Sequence, residues 1–341
     1  MDTITSSSLD IDQKQYQSTP LNRVLVIGLG QLGLPVAKFI KEQEGFDVYG
    51  YDISSKAMDR AHTTAGIKKA TNFSDFDVYI LCISTHRPDD MFSPQIEGLL
   101  SIVDKISKEA KNGALVSIES TIPKGTSKKV FEMLNHRLHV AHAPHRWYAL
   151  EEQEHGVNQV RVIGGVCDCC LKVAMHFYDG RSESENMNNS SSSSSSSSNE
   201  EIRSKSKNKS LGIPMHPVSD IEIAELAKIV ENADRYLQIA FAEDLYLYCQ
   251  ANNISFPELR DAINTKWNVH ILEPREGIGG HCLPKDTKMF LQSSKSIKSK
   301  ILQAAIEVDQ DYRLYRETRE IKGIDPFSSI QPIKYNITMD K

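Results

Sequence analysis

The ten-residue stretch GIGGHCLPKD, which begins at Gly277, contains the residue types of a covalent-catalysis site. Its two adjacent glycines allow the backbone to approach a ligand and to adopt positive φ angles. Cys282 follows them after one histidine, and Lys285 and Asp286 lie just beyond the cysteine. A lysine can favour the nucleophilic thiolate, and a carboxylate can orient a water or accept a proton. The stretch also fits a glycine turn with an ordinary half-buried cysteine, before a helical pattern that begins near Thr287.

A lysine and an asparagine form a second candidate site upstream. Lys228 and Asn232 lie in a helical pattern that opens with the capping box Ser219-Asp-Ile-Glu222 and continues to about Gln250. Because they are four residues apart, they share one face of the helix. Together they could bind a substrate oxygen or an oxyanion. A lysine that extends to solvent beside an exposed asparagine is the alternative.

A glycine motif near the N-terminus indicates a nucleotide cofactor. Gly28-x-Gly30-x-x-Gly33 follows a short apolar run and precedes an amphipathic segment, and Asp52 ends the next apolar run. Strand, glycine turn, helix, strand and acid in this order are the context of the dinucleotide fingerprint. The glycines allow close approach of a pyrophosphate, and the helix N-terminus favours its charge. Asp52 would accept hydrogen bonds from a ribose and repel a 2′-phosphate, so we expect NAD rather than NADP.

Strand and helix patterns alternate from the glycine motif to residue 165. They predict an α/β fold in which a doubly wound (Rossmann) parallel sheet over residues 21–180 precedes a long helix and a small all-helical domain over 212–322. The C-terminal ends of parallel strands face the ligand crevice. We therefore expect the polar residues that follow two of the strands to line the nicotinamide side, although they also suit strand caps: Ser84, Thr85, Glu119, Ser120 and Thr121.

Composition narrows the class of protein further. The chain has 341 residues and a net charge of −5, which provides no general attraction to nucleic acid. It contains no apolar run of bilayer-spanning length and no secretory signal pattern. Its six scattered cysteines then favour reduced thiols and a cytoplasmic location. We expect disorder in residues 1–20 and in a serine-rich insert over 181–211, and no clear pattern in the tail 323–341.

A cysteine cluster, Cys167-Asp-Cys169-Cys170, raises the question of a metal site. No second pair of cysteines or histidines at zinc-ligand spacing lies nearby in the sequence, and the segment continues as a helix. The sequence therefore predicts no metal.

The chain resembles the UDP-glucose/GDP-mannose dehydrogenase family. The matching stretches occur in family order between Leu21 and Arg319. The residue before the cysteine is His281, and a histidine at this position is similar to the UDP-N-acetylmannosamine branch of the family. The stretches are VIGLGQLGLPVA, VYGYDIS, LCIST, ESTIPKGT, RVIGG, AELAKIVENADRYLQIAFAEDL and GIGGHCLPKD.

The resemblance implies a soluble homodimer, formed through the helix 220–250, that oxidises a nucleotide sugar at C6 to a carboxylate in two NAD-dependent steps. Ile229, Leu237 and Phe241 are candidates for the dimer contact or, equally, for the core. Cofactor contacts would include Gln31 and Leu32 beside the glycines.

The resemblance also assigns catalytic roles. A water near Asp286 would take the hydroxyl proton, while Lys228 and Asn232 would hold the oxygen. Cys282 would bind the aldehyde as a thiohemiacetal and then a thioester. Thr121 would help to order the active-site water.

Two departures from the family leave alternatives open. His145 stands where the family has a glutamate linked to thioester hydrolysis, and it could act as a base near neutral pH. The pattern of a second doubly wound domain, which binds UDP in the family, is missing after Asp286. A separate nucleotide-binding chain could supply it. The alternatives are a two-electron β-hydroxyacid-type dehydrogenase, which would not need Cys282, and a non-catalytic NAD-binding protein.

Overall fold

The computed structural model describes residues 21–86, 90, 93–146, 156–180, 210–294 and 299–321. The predictions for residues 1–20, for 181–209 of the serine-rich insert and for the tail 323–341 lie outside these ranges. The chain divides into two compact units, with the boundary between Lys228 and Ile229. Among the described residues, no helix combines the length and apolarity that a bilayer span requires.

An eight-stranded sheet forms the centre of the first unit, in the order β3-β2-β1-β4-β5-β6-β7-β8. From β3 to β6 all neighbours are parallel, in the strand order typical of dinucleotide-binding folds. The predicted α/β class and doubly wound sheet are confirmed. The strands are β1 Arg23–Ile27, β2 Asp47–Tyr51, β3 Lys68–Lys69, β4 Val78–Leu81, β5 Leu115–Ile118, β6 His139–His142, β7 Arg161–Gly165 and β8 Met215–Pro217.

Five helices of the first unit cover the two faces of this sheet. Alternate residues of β1 enter separate cores: Val24 and Val26 pack with the face that α1 and α5 cover, and Leu25 and Ile27 with the face that α3 and α4 cover. Burial on both faces explains why the central strands are continuous apolar runs. The helices are α1 Gly33–Glu42, α2 Ser55–Ala65, α3 Glu97–Glu109, α4 Thr126–Met133 and α5 Asp168–Tyr178.

The strand β7 runs opposite to the other strands of the predicted series. It pairs antiparallel with β6, with Ala141 opposite Gly165 and His142 opposite Gly164. The sequence predicts a continued parallel alternation here. The reversal places the start of β7 at the carboxyl edge of the sheet, and its end at the amino edge beside the first residues of β6.

Sequence patterns did not predict α2, β3 or β8. The helix α2 is polar and buries only Met58 and Ala61, so its apolar periodicity is faint. Its ends are nevertheless encoded locally, because Ser54 Oγ accepts a hydrogen bond from Ala57 N at 3.3 Å and Gly66 ends the helix at φ 59°. The strands β3 and β8 have only two and three residues.

The long helix α6, Ile221–Ala251, begins in the first unit. We expected Ser219 to cap it, but Asp220 Oδ1 accepts the hydrogen bond from Glu222 N at 3.0 Å. One turn later, buried Glu225 accepts hydrogen bonds from Gly125 N at 2.6 Å and Ser127 N at 2.7 Å. A carboxylate on α6 thus caps the N-terminus of α4, where the helix dipole favours negative charge.

The second unit consists of helices in its described part. The remainder of α6 is followed by α7 Phe256–Asn264, α8 Cys282–Ser293 and α9 Lys300–Arg316, and a π-helical turn follows at Glu317–Ile321. One apolar cluster joins Tyr236 and Ala240 of α6 with Ile278 and Ala305. A second joins α6 with α7 and the segment after it.

A buried carboxyl group in the second unit should make stability pH-dependent. Glu243 is fully buried, and neither carboxyl oxygen has a hydrogen-bond partner among the described residues. Burial raises the pKa of Glu243 to about 8; the Asp309 carboxylate adds to the rise and Arg313 opposes it.

Because this folded-state pKa lies above the unfolded value of 4.5, the group costs no stability below about pH 4. As pH rises from 4.5 to about 8, the free energy of unfolding should fall by up to about 1.4 kcal/mol per pH unit. Glu243→Gln should remove this slope in urea titrations at pH 5 and pH 8. The exposed control Glu276→Gln should keep it, and an unchanged slope in Glu243→Gln would contradict the prediction.

Candidate functional site

The three glycines of the nucleotide motif serve different purposes in the turn between β1 and α1. Gly28 has φ 88°, and a Cβ there would lie 2.5 Å from Cys82 O. A Cβ on Gly33 would lie 1.7 Å from Gly28 O, so α1 can pack against the turn only without a side chain. A Cβ on Gly30 would meet nothing within 4 Å, so the backbone there is open to a ligand. These are the roles that a dinucleotide-binding turn requires.

Asp52 stands beside this turn, as predicted. Its Oδ2 accepts a hydrogen bond from Leu29 N at 2.7 Å, and its Oδ1 accepts one from Ser54 N at 2.8 Å. A carboxylate has about four acceptor positions, so ribose hydroxyls can still bind to it. Arg60 Nη2 donates to Leu29 O at 3.0 Å, which further fixes the turn.

A cavity of about 410 Å³ adjoins the turn. Its lining includes exposed Gln31, while Leu32 occupies the N-cap position of α1. Two cations, Lys38 and Arg60, also line the cavity and would attract phosphate. The open Gly30, the N-terminus of α1, the acid and this cavity together fit a dinucleotide.

Gly30→Ala should weaken cofactor binding without unfolding the protein. The added methyl group would meet no atom of the protein within 4 Å but would occupy the surface that a pyrophosphate approaches. We expect at least about a tenfold rise in the Kd for NAD, equivalent to about 1.4 kcal/mol. Titration calorimetry gives the Kd, and urea denaturation should show an unchanged midpoint. The control Gly98→Ala, whose Cβ would meet only Ile83 Cγ2 at 3.9 Å, should bind NAD normally. Equal NAD affinities of Gly30→Ala and the unsubstituted protein would contradict the placement of the pyrophosphate at Gly30.

The polar residues after β4 and β5 come together at the carboxyl edge of the sheet. Thr85 Oγ1 donates to Thr121 O at 2.7 Å, and Ser120 Oγ donates to Ile83 O at 2.7 Å. Exposed Ser84 hydrogen-bonds with His86 at 3.0 Å through Nδ1. The hydroxyls of Thr85 and Ser120 thus join the two strand ends, which agrees with the strand-cap alternative.

Glu119 lies deeper than expected, in a buried ionic network. Its Oε1 lies 3.0 Å from Arg161 Nη1 and accepts a hydrogen bond from Tyr178 OH at 2.6 Å. Its Oε2 lies 3.3 Å from His145 Nε2. The Tyr178 hydroxyl also hydrogen-bonds with Ser117 Oγ at 2.7 Å. Glu119 is 1 % exposed, so a cofactor would meet it only through its neighbours or after a local change.

The reversed strand β7 explains how this network forms. Arg161 is the first residue of β7 and therefore lies at the carboxyl edge, beside the residues that follow β5 and β6. The sequence patterns did not single out Arg161, Tyr178 or Ser117. A charged residue at the first position of an apolar strand was the available indication for Arg161. A polar Ser117 inside an apolar run was the indication for the serine.

The sequence leaves open whether His145 acts as a base near neutral pH. Burial lowers its pKa well below the usual value of 6.5, and the positive charges of Arg161 and Lys228 lower it further. The imidazole is therefore neutral at pH 7 and is a weak base. Lys228 thus contributes to the electrostatic environment of His145 within the first unit.

In the second unit the structure brings Asn232 and Asp286 together. Asn232 Nδ2 donates to Asp286 Oδ2, and Lys285 Nζ lies 2.7 Å from Asp286 Oδ1. Lys285 and Asp286 are both buried, so the carboxylate is fixed by an amide on one oxygen and a cation on the other. The resemblance gave Asn232 and Asp286 different roles in one catalytic site and did not predict this contact.

Cys282 is the first residue of α8 rather than part of a turn before a helix near Thr287. Pro284 is tolerated there because the N–H groups of a first helical turn have no partners within the helix. Gly277 and Gly280 have φ values of 91° and 71°, as the glycine turn requires. The Cys282 side chain is exposed, at a helix end where the dipole favours negative charge. Lys285, which we expected to act on the thiol, pairs with Asp286.

The fold of the first unit and its glycine turn define a dinucleotide-binding protein. The chain belongs to the UDP-glucose/GDP-mannose dehydrogenase family: residues 60–180 match the family's NAD binding domain and residues 222–311 its central domain.

Similar proteins carry consistent names. The UDP-N-acetyl-D-mannosamine dehydrogenase of Methanococcus maripaludis is 26% identical over 317 residues, which is 86% of this chain and 66% of that protein. The solved structure of the Pyrococcus horikoshii UDP-D-ManNAc dehydrogenase is 26% identical, with a TM-score of 0.67 over 89% of this chain and 73% of that one. The Staphylococcus aureus UDP-N-acetyl-mannosamine dehydrogenase is 25% identical, with a TM-score of 0.64 over 89% and 71%. The chain thus spans about two thirds of the length of these relatives.

Proposed function

We propose that this chain carries out the NAD-dependent oxidation of a nucleotide-activated sugar at C6, from alcohol to carboxylate, with Cys282 as the covalent residue. The observation that carries the proposal is an exposed thiol at the N-terminus of α8, one helical turn before a buried carboxylate that Asn232 and Lys285 hold. The names of the relatives make UDP-N-acetyl-D-mannosamine the first substrate to test.

The reaction converts one primary alcohol and one water into a carboxylate with the loss of four electrons. When bound at the glycine turn, NAD would accept one hydride in each of two oxidations. Asp286 would hold the water that takes the hydroxyl proton, and its fixed orientation suits this role. Lys228 and Asn232 would bind the oxygen on which negative charge develops.

Cys282 would form a carbon–sulfur bond to the aldehyde carbon and so prevent its release. After the second oxidation, water would displace the thiol from the thioester. Thr121 would help to order the active-site water. Because His145 is a weak base, we assign it a positioning role through Glu119 rather than proton removal. The chemistry requires a reduced thiol. All six cysteines lie among the described residues without a disulfide, which supports the proposed cytoplasmic location.

The test is the yield of NADH per sugar consumed, measured with a panel of UDP- and GDP-sugars. The proposal requires two NADH and one uronate for each sugar. One NADH per sugar, in an enzyme that does not need Cys282, would favour the two-electron β-hydroxyacid alternative. NAD binding without turnover, including in the presence of candidate nucleotide-binding chains, would favour a non-catalytic role.

We also propose that α6 forms a homodimer contact. Ile229 is fully buried and Leu237 is half-buried in an apolar cluster, but Phe241 is 58% exposed. Val230 and Tyr248 are also exposed. With 3.6 residues per turn, these two and Phe241 lie within about 20° of one line along the helix. A second copy of the chain is the expected occupant of this stripe, by resemblance to the family.

Phe241→Glu should convert the dimer to a monomer and so halve the molar mass in solution, because a charge would otherwise be buried in the contact. Light scattering after gel filtration measures the mass directly. Trp267→Glu is the matched control, since Trp267 is 93% exposed and lies outside α6. Identical masses for the wild type and Phe241→Glu would refute the contact.

A further inference from the structure

A second cluster of reactive side chains lies at the opposite edge of the sheet from the glycine turn. The strand β7 ends there, and Val166 N donates to Val140 O at 3.1 Å as the chain turns into α5. Gly165 makes the turn possible, because a Cβ on it would lie 2.3 Å from Leu171 N. The turn brings Cys167, Cys169 and Cys170 beside His139, the first residue of β6.

The potential ligand atoms of His139, Cys169 and Cys170 form a compact group, and Cys167 contacts both cysteines of that group. Cys167 Sγ lies 2.8 Å from Cys169 Sγ and 3.1 Å from Cys170 Sγ. The ligand atoms of His139, Cys169 and Cys170 all lie within 4.8 Å of one another. A tetrahedral zinc ion with Zn–S bonds of about 2.3 Å separates its ligands by about 3.8 Å. Adjustments of about 1 Å would therefore bring the three grouped residues, and the two sulfur contacts of Cys167, to this separation.

The surroundings also suit a metal. His139 is buried, and an imidazole nitrogen is one of the ligands that zinc binds in proteins. Cys170 is buried as well, and Val140 N donates to its sulfur at 3.4 Å, a second contact that orients the ligand. Cys167 and Cys169 are exposed, and a cavity of about 330 Å³ reaches Cys167, which gives an ion a path from solvent.

We propose that His139, Cys167, Cys169 and Cys170 bind one zinc ion that fastens the start of α5 to β6. Three thiolates and an imidazole form a closed set of the kind found at structural zinc sites, and soft sulfur ligands disfavour magnesium and calcium. The amino edge of the parallel strands is remote from the carboxyl edge, where Asp52 and Glu119 lie. The ion therefore has a structural role, separate from the proposed oxidation.

The position of His139 explains why the sequence predicted no metal. This fourth ligand does not follow the cysteines at a motif spacing. It precedes them by about thirty residues, and only the antiparallel pairing of β6 with β7 brings it into place.

The first test is metal content under reducing conditions. The full chain is expressed with added zinc, dialysed against a weak chelator and measured by plasma mass spectrometry. We expect about one zinc per chain. Replacement by cobalt should give the intense charge-transfer and visible bands of a tetrahedral thiolate site. Absence of bound zinc, or a cobalt spectrum without thiolate bands, would overturn the proposal.

Variants then identify the ligands. Cys169→Ser and His139→Gln should each weaken zinc binding by at least about 100-fold, measured by competition with a chromophoric chelator. The controls Cys249→Ser and His62→Gln remove the same residue types elsewhere and should retain zinc. Circular dichroism and NAD binding report whether each variant is folded. Because Cys169 is exposed, its serine variant should fold even if His139→Gln does not.

A redox-active thiol pair is the competing explanation for the same cluster. Intact mass spectrometry of the metal-free chain separates the two. If Cys167 and Cys170 form a disulfide that persists when zinc and a thiol reductant are both present, the zinc site is refuted. Zinc that protects all three thiols from alkylation would support it.

Discussion

Replacement of Cys282 by alanine is expected to abolish uronate formation, with a fall of at least about a thousand-fold in the rate of carboxylate release. Without the sulfur no carbon–sulfur bond can form, so the aldehyde from the first oxidation is free to leave. Any residual NADH should therefore accompany free aldehyde, with one NADH per sugar rather than two. An aldehyde-trapping hydrazine and NADH absorbance measure both quantities in one assay.

Cys249→Ala is the matched control for this experiment, because Cys249 is a buried thiol on α6 within the same compact unit. It should retain two NADH per sugar. Full uronate production by Cys282→Ala would refute the covalent mechanism while leaving NAD-dependent dehydrogenation intact. Loss of the first oxidation as well as the second, in a folded variant, would mean that the thiol also positions the alcohol.

Arg161→Met is expected to be among the most destabilising single substitutions in the first unit. Arg161 is 1% exposed and pairs with the equally buried Glu119. Removal of the guanidinium would leave the carboxylate without its cation, and breaking such a buried pair costs about 3–5 kcal/mol. This is a large share of a typical folding free energy of about 5–15 kcal/mol. Urea denaturation of purified protein gives the loss directly.

A double-variant cycle separates the ion pair from simple loss of packing. Glu119→Gln removes the charge, so Arg161→Met should cost at least about 2 kcal/mol less in that background than alone. Lys108→Met, which breaks the exposed pair with Asp104, should change stability by no more than about 1 kcal/mol. Additive effects of the two buried substitutions would contradict the role assigned to the network.

Local patterns predicted those parts of the structure that local interactions determine. The glycine turn, Asp52 and the apolar central strands were foreseeable, because their residue types follow from backbone geometry and from burial on both faces. The long helix was predicted to within a turn, although Asp220 rather than Ser219 caps it. The polar helix α2 was missed because only two of its residues are buried.

Contacts between residues that lie far apart in the sequence could not be predicted from local patterns. The carboxylate of Glu119 has its charge balanced by Arg161 only because β7 runs antiparallel to β6. The same reversal carries the cysteine cluster to His139 at the opposite edge. The contact of Asn232 with Asp286 joins two helices of the second unit, and neither residue reveals it by type or spacing.

The carboxylate of Asp52 restricts how the cofactor preference of this protein can be re-engineered or can evolve. Its two oxygens accept hydrogen bonds from the backbone of Leu29 and Ser54, on either side of the site where a ribose would bind. A redesign that removes this acid to admit a 2′-phosphate would leave the amide of buried Leu29 without an acceptor, at a cost of about 1–3 kcal/mol, whereas the exposed Ser54 amide could bind water. Nearby Arg60 already offers a cation for such a phosphate. The obstacle to a switch of coenzyme is thus the integrity of the turn, and a successful variant must supply a new acceptor for Leu29 N before it can bind the 2′-phosphate.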